Sequence, residues 1–156
     1  MPAGHTLFLQ GIAIGTQNYI CLPTGWAFFG PQATLFQFKT QIITHFLSPN
    51  PDEEDVLRAT WQHSQDTSRV WGNAVASSSD PKFVKPGAIP WLLLKVVGAD
   101  RGPGGGRQLT GTAYIQRIRT SGGVQPATGC DDQARNVGER VLVPYKADYL
   151  FYKPTR

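Results

Sequence analysis

Two cysteines, three histidines and one methionine are all that this chain of 156 residues offers to soft-metal or redox chemistry. Charge is scarce as well: Asp, Glu, Lys and Arg make up 17% of the chain, against about 25% in an average domain. The 15 Lys and Arg exceed the 11 Asp and Glu, giving a net charge of +4, but they are scattered. A nucleic-acid surface needs a concentrated basic patch with exposed aromatics among it, so no nucleic-acid partner is expected. Long apolar runs are missing too. The longest, residues 89–94, is strand-sized and contains Pro90, far short of the ~20 residues of a membrane helix. No signal peptide precedes the first apolar stretch, which begins almost directly after Met1-Pro2-Ala3-Gly4-His5. That fits either a cytosolic protein or the mature part of an exported one behind a start methionine.

Catalytic signatures are absent in the same way. The glycine-rich segment 101–107 lacks the Gly-Lys-Ser/Thr ending of a phosphate loop and lies between strands, so it reads as a mobile hairpin tip. Asp52-Glu53-Glu54-Asp55 lacks the alternating oxygen ligands and the glycine of a calcium loop and reads as a solvated acidic loop. There is no Gly-x-Ser-x-Gly elbow, and Ser77-Ser78-Ser79 has no obvious base beside it. Most of the acids fall in the 52–55 run, which leaves little for the paired carboxylates of a glycosidase. Cys21 and Cys130 fit neither a four-cysteine zinc site nor a Cys-x-x-Cys redox motif. If bonded, they close a long loop worth about 4–5 kcal/mol in the chain-entropy model, which suits an oxidising compartment. If not, they are two unrelated buried thiols.

What is present is punctuation. Seventeen glycines and 12 prolines recur between short apolar runs, the pattern of strands joined by turns and not of long helices. Extended segments are expected at 6–21 (with a glycine bulge at Gly15), 26–29, 34–38, 41–47, 56–62, 69–76, 89–97, 110–120, 140–145 and 148–152. The strongest is 89–97, where Trp91-Leu92-Leu93-Leu94 argues for burial on both faces. Residues 77–88 and 122–130 read as surface connections, with one helical turn at 131–135. The expected fold is a single all-β domain over residues 1–156, a sandwich or closed barrel of eight to ten short strands.

Several blocks resemble a known family. They are Gly15-Thr16-Gln17-Asn18-Tyr19-Ile20-Cys21, Ala59-Thr60-Trp61-Gln62-His63-Ser64 and Ser68-Arg69-Val70-Trp71-Gly72. Pro86-Gly87-Ala88-Ile89-Pro90-Trp91-Leu92-Leu93-Leu94 and Val143-Pro144-Tyr145-Lys146-Ala147-Asp148-Tyr149-Leu150-Phe151-Tyr152 continue the likeness. Together they are similar to small secreted bacterial and fungal proteins grouped as domain-of-unknown-function family 3455. The resemblance implies secreted or periplasmic localisation, with a signal peptide already removed, and supports a Cys21–Cys130 disulfide. It carries no activity to any residue.

Chemistry therefore has to come from the side chains. His45 ends one predicted strand and His63 ends the next but one element, each close to an aromatic (Phe46, Trp61). If they converge, two imidazoles and an oxygen ligand such as Asp66, Gln62 or a tyrosine would form an open site for copper, or less readily zinc. The bland alternative has His45 hydrogen-bonded at a strand end and His63 exposed in a hairpin. His5 is preceded by four residues and cannot chelate copper as an N-terminal histidine. A serine assembled with His45 and an Asp is the weakest arrangement considered. The aromatic residues, 11% of the chain, are mostly core. Some are expected to line a pocket formed by Gln17, Trp61, Trp71, Gln116, Arg117 and Tyr145. Arg117 would need a partner if buried, and Asp148 is the candidate.

Three functions follow. The first is a secreted metal-binding protein, copper preferred, using His45, His63 and Asp66, with oxidative chemistry as its reaction. It requires the two imidazole nitrogens about 3–4 Å apart across the ion. The second is a non-enzymatic small-molecule carrier with a cavity of roughly 300 Å³ or more. The third is a cell-envelope interaction module presenting a contiguous apolar patch. The sequence leaves the oligomeric state open.

Overall fold

The computed structural model describes residues 1–131 and 136–155. Eight strands run β1 (His5–Leu22), β2 (Gly25–Gln37), β3 (Thr40–Asn50), β4 (Val56–His63), β5 (Arg69–Ser78), β6 (Trp91–Asp100), β7 (Tyr114–Gly122) and β8 (Arg140–Pro154). Each pairs antiparallel with the next, and β8 returns to β1 to close a barrel. A sheet closed on itself has no edges to protect, and eight strands leave an interior just wide enough for side chains or one small ligand. No α-helix occurs among the described residues. The turn expected at 131–135 lies outside the described residues apart from Asp131.

Two pairs of expected short strands are single long ones, β2 and β8, and the bulge expected at Gly15 is absent. β1 runs unbroken through Gly15, which sits in register opposite Ala33. The irregularities of β1 fall instead at Leu7/Leu9 against β8 and at Asn18/Tyr19 against β2. Gly30-Pro31 does not end β2, because it pairs with Asn18 and Gln17 right beside that second irregularity. There the ladder is already locally disrupted, and a residue with no N–H is tolerated. In β8, Lys146 pairs with Ile14 and Ala147 with Ala13. Alternation passes through the pair with the alanine inside and the lysine outside.

That alternation builds the core. Ala13, Ala33, Ile43, Trp61, Val70, Ile115, Tyr149 and Phe151 are all at most 5% exposed and form one cluster. Their neighbours Ile12 and Ile14 look outward. Trp91-Leu92-Leu93-Leu94 is not buried on both faces: only Leu94 is fully enclosed, and the other three are half-buried.

One end of the barrel is plugged. Leu109 is fully buried and joins the core cluster, and its N–H donates to Ser68 Oγ at 3.0 Å. Ser68 Oγ in turn donates to Asp66 Oδ1 at 2.7 Å. The second oxygen, Asp66 Oδ2, accepts from the amides of Arg107 (2.8 Å) and Gln108 (2.7 Å). The glycine-rich segment is therefore tied down and is not a free hairpin tip. Gly106 permits this, since a Cβ there would lie 2.1 Å from the Asp66 carbonyl oxygen. The acidic run is also less solvated than its composition suggests. Pro51–Glu53 forms a 3-10 turn whose Glu53 grips Arg58, while Asp52 accepts the Ala99 amide at 3.1 Å.

The other end is open and is held by loops. Cys21 is bonded to Cys130, with the two Cα atoms 5.4 Å apart. Tyr19 donates to the Gly123 carbonyl, and Thr120 Oγ1 to the Ile89 carbonyl at 2.6 Å. No helix of the described residues is long and apolar enough to cross a membrane.

Candidate functional site

The open end holds a cavity of about 240 Å³. Its depth is set by small residues. Gly72, Ala59 and Ala74 supply little side chain at positions where their neighbours on β3 and β6 supply Leu47 and Leu94. A Cβ on Gly72 would come within 2.9 Å of the Trp61 ring, so that glycine gives the indole its place. Phe28 and Leu57, each more than half exposed, stand at the rim.

The floor is polar only where it has to be. His45 stacks on Trp61 with ring centroids 4.3 Å apart. Its Nδ1 lies 2.8 Å from the Thr60 carbonyl, which can only accept, so Nδ1 carries the proton. Nε2 is then a bare acceptor 3.5 Å from the Tyr149 hydroxyl, which is 3.2 Å from the Tyr145 hydroxyl. Burial pushes the His45 pKa down to about 3, opposed by the Thr60 hydrogen bond and reinforced by the Arg117 charge. His45 is therefore a neutral imidazole at any physiological pH. Burial also pushes the Tyr145 phenol up, as does Tyr149 beside it, so the Tyr145 hydroxyl remains protonated. The Trp61 indole N–H is buried with no hydrogen-bond partner, which leaves that ring held by packing against His45, Tyr149 and Phe151.

Of the residues expected to line a pocket, Gln17, Trp61 and Arg117 do so. Tyr145 sits behind Tyr149 and touches the site through its hydroxyl. Trp71 and Gln116 are elsewhere. Each follows an inward residue by one position and so looks out: Trp71 Nε1 donates to Ser48 Oγ, and Gln116 accepts from Tyr152. The partner expected for Arg117 is also different. Asp148 bonds Arg119 at 2.6 Å on the outer face, because Arg119 adopts φ 49° at a register shift in β7. That shift turns it away from the face it would share with Arg117. Tyr149, which the sequence reading passed over, was legible from its spacing with Tyr145, Ala147 and Phe151, all inward positions of β8.

The structure brings His45, His63 and Asp66 no nearer to a ligand set than one His–Asp contact. His45 and His63 both face inward, but His45 pairs with Trp61 and His63 with Ile43, two residues nearer the plugged end. His63 is buried and not an exposed hairpin residue. Its Nδ1 faces the amides of Gln65 and Asp66 at 3.3 and 3.4 Å and lies 3.6 Å from Asp66 Oδ1. The Asp66 oxygens are engaged by the four hydrogen bonds of the plug. Among the described residues no group of three or more His, Cys, Asp or Glu is arranged to hold a metal ion.

Comparison with curated proteins and with solved structures finds no match to this chain. A family model matches residues 2–153, nearly the whole length, and the chain belongs to the family described as protein of unknown function, DUF3455.

Proposed function

We propose that this protein is a small-molecule binding barrel that holds a ligand of one or two rings in its open end. The cavity itself carries the reading: its walls are mainly apolar and aromatic, its floor has a few fixed polar groups, and one end is closed. That is the usual composition of a ligand pocket. At about 240 Å³ it is smaller than the ~300 Å³ at which drug-sized pockets begin, which sets the size of the occupant. The Cys21–Cys130 bond supports a working place in an oxidising compartment, outside the cytoplasm.

The interaction-module reading has less behind it. The exposed Ile12 and Ile14 pair across β8 with Asp148 and Lys146, so charge interrupts the apolar surface there. The copper reading would need His45 Nε2 and His63 to leave their present partners and meet.

Calorimetric titration with trans-cinnamamide, a neutral aromatic probe, tests the proposal beside Ala59→Phe, whose ring would fill the cavity. Saturable binding by the native chain that is lost in a folded Ala59→Phe variant is expected. Equal binding by both proteins refutes it, and so does a native chain that binds neither this amide nor the matching carboxylate, trans-cinnamate.

A further inference from the structure

The cavity contains a cation without an anion. Three other arginines on the barrel strands are matched to a carboxylate, and a fourth, Arg140, lies over the Phe29 ring. Arg58 holds Glu53, Arg69 holds Asp100 at 2.7 Å, and Arg119 holds Asp148. Arg58 also reaches the cavity rim, but Glu53 takes it through two hydrogen bonds, at 3.0 and 3.1 Å. Arg117 lines the same cavity and makes no ion pair among the described residues, and no Asp or Glu lines the cavity with it.

What Arg117 does have is an anchor. Nε and Nη2 both donate to the Pro90 carbonyl, at 3.1 and 2.8 Å. A guanidinium carries five N–H donors in a rigid fork. Two are spent on Pro90, and the Nη1 side has no partner among the described residues. One edge is thus fixed to the loop before β6 while the other keeps the geometry that grips a carboxylate by two parallel bonds. The other groups of the site cannot supply the missing charge. His45 is neutral, the Tyr145 phenol is protonated, and Gln17 is an amide.

A half-buried cation in apolar surroundings is costly unless paired, and the cavity that Arg117 lines has room for a counter-charge. We infer that the ligand is a small aromatic or alicyclic carboxylate, its ring against Trp61 and Leu94 and its carboxylate on the free edge of Arg117. Binding such an anion completes a pair that the protein leaves open, with the apolar rim at Phe28 and Leu57 screening it from water. The inference rests on the proposed binding role and adds the chemical class of the ligand.

Matched probes separate the two claims. trans-Cinnamate and trans-cinnamamide share shape and ring and differ in charge. Charge-assisted hydrogen bonds are roughly twice as strong as neutral ones, so cinnamate is expected to bind at least about tenfold more tightly, or 1.4 kcal/mol. Arg117→Gln removes that preference. Arg117→Lys keeps the charge without the fork and retains part of it. Arg119→Gln, on the outer face, leaves it intact, and thermal melts show whether each variant is folded. Equal affinity of the native chain for both probes overturns the inference while leaving the binding role standing. So does a preference that survives in folded Arg117→Gln. Failure of both probes to bind overturns the two together.

Discussion

Lowering the pH should unfold this barrel earlier than its few acids would suggest, because of His45. In the folded chain the imidazole titrates at about 3, against 6.5 for an ordinary histidine. Between those values the unfolded chain binds a proton that the folded chain refuses, so stability rises with pH across that window and is lost as pH falls through it. From pH 7 to pH 4.5 the loss from this one residue comes to about 2.5 kcal/mol by linkage. His45→Gln is the comparison, since its amide can still donate to the Thr60 carbonyl and accept from the Tyr149 hydroxyl, the two partners of the imidazole. Urea unfolding at the two pH values, for both proteins, measures the difference directly. The native chain should lose about 2.5 kcal/mol more than the variant. Equal losses would refute both the burial of a neutral imidazole and the protonation state assigned to the cavity floor.

The plug and the tether make further predictions. Burial would raise the Asp66 carboxyl, but hydrogen bonds from Gln108, Ser68 and Arg107 outweigh it and hold the pKa at about 2. The folded value lies below the ordinary 3.8, so the stability Asp66 contributes is present above pH 4 and lost as pH falls toward 2. Asp66→Asn should speed hydrogen exchange at the Arg107 and Gln108 amides at neutral pH, and unchanged exchange would contradict the plug. Removing the cross-link with Cys21→Ser/Cys130→Ser frees a loop of 109 positions. A loss of about 4–5 kcal/mol in urea unfolding is expected in the chain-entropy model, and a loss below 1 kcal/mol would mean that the loop ordering is independent of it. Copper added to the native chain should show no stoichiometric uptake that depends on His45 and His63. One equivalent lost in His45→Gln/His63→Gln would restore the two-histidine site.

The fold was largely legible because a barrel is written locally. Inward and outward residues alternate through β1 and β8, and every turn between described strands except Phe38-Lys39 carries a Gly, Pro or Asp. What misled was punctuation inside long strands. Gly30-Pro31 looks like a stop, yet it lies beside an irregularity in the β1–β2 pairing, where a residue without an N–H is tolerated. Half of the site was legible for the same reason: Gln17, Trp61 and Arg117 occupy inward positions in apolar strands. Trp71 and Gln116 were misplaced because they neighbour such positions, and one residue of offset exchanges the two faces of a strand. The Asp148–Arg119 pair and the Asp66 plug are long-range. They depend on a positive φ at Arg119 and on glycines meeting Asp66 across the barrel end, and neither leaves a periodic signal.

A ligand in the open end of the barrel would lie against Trp61, whose indole N–H reports on it directly. The chain has four tryptophans, of which Trp61 alone lines the cavity; Trp71 bonds Ser48, Trp26 bonds Thr128 and Trp91 packs near Phe83 outside it. In a nitrogen-15 spectrum of the indole N–H groups, titration with trans-cinnamate should move the Trp61 signal saturably and leave the other three in place. A still Trp61 signal at saturating cinnamate, or movement confined to Trp26, Trp71 or Trp91, would contradict a ligand in that cavity.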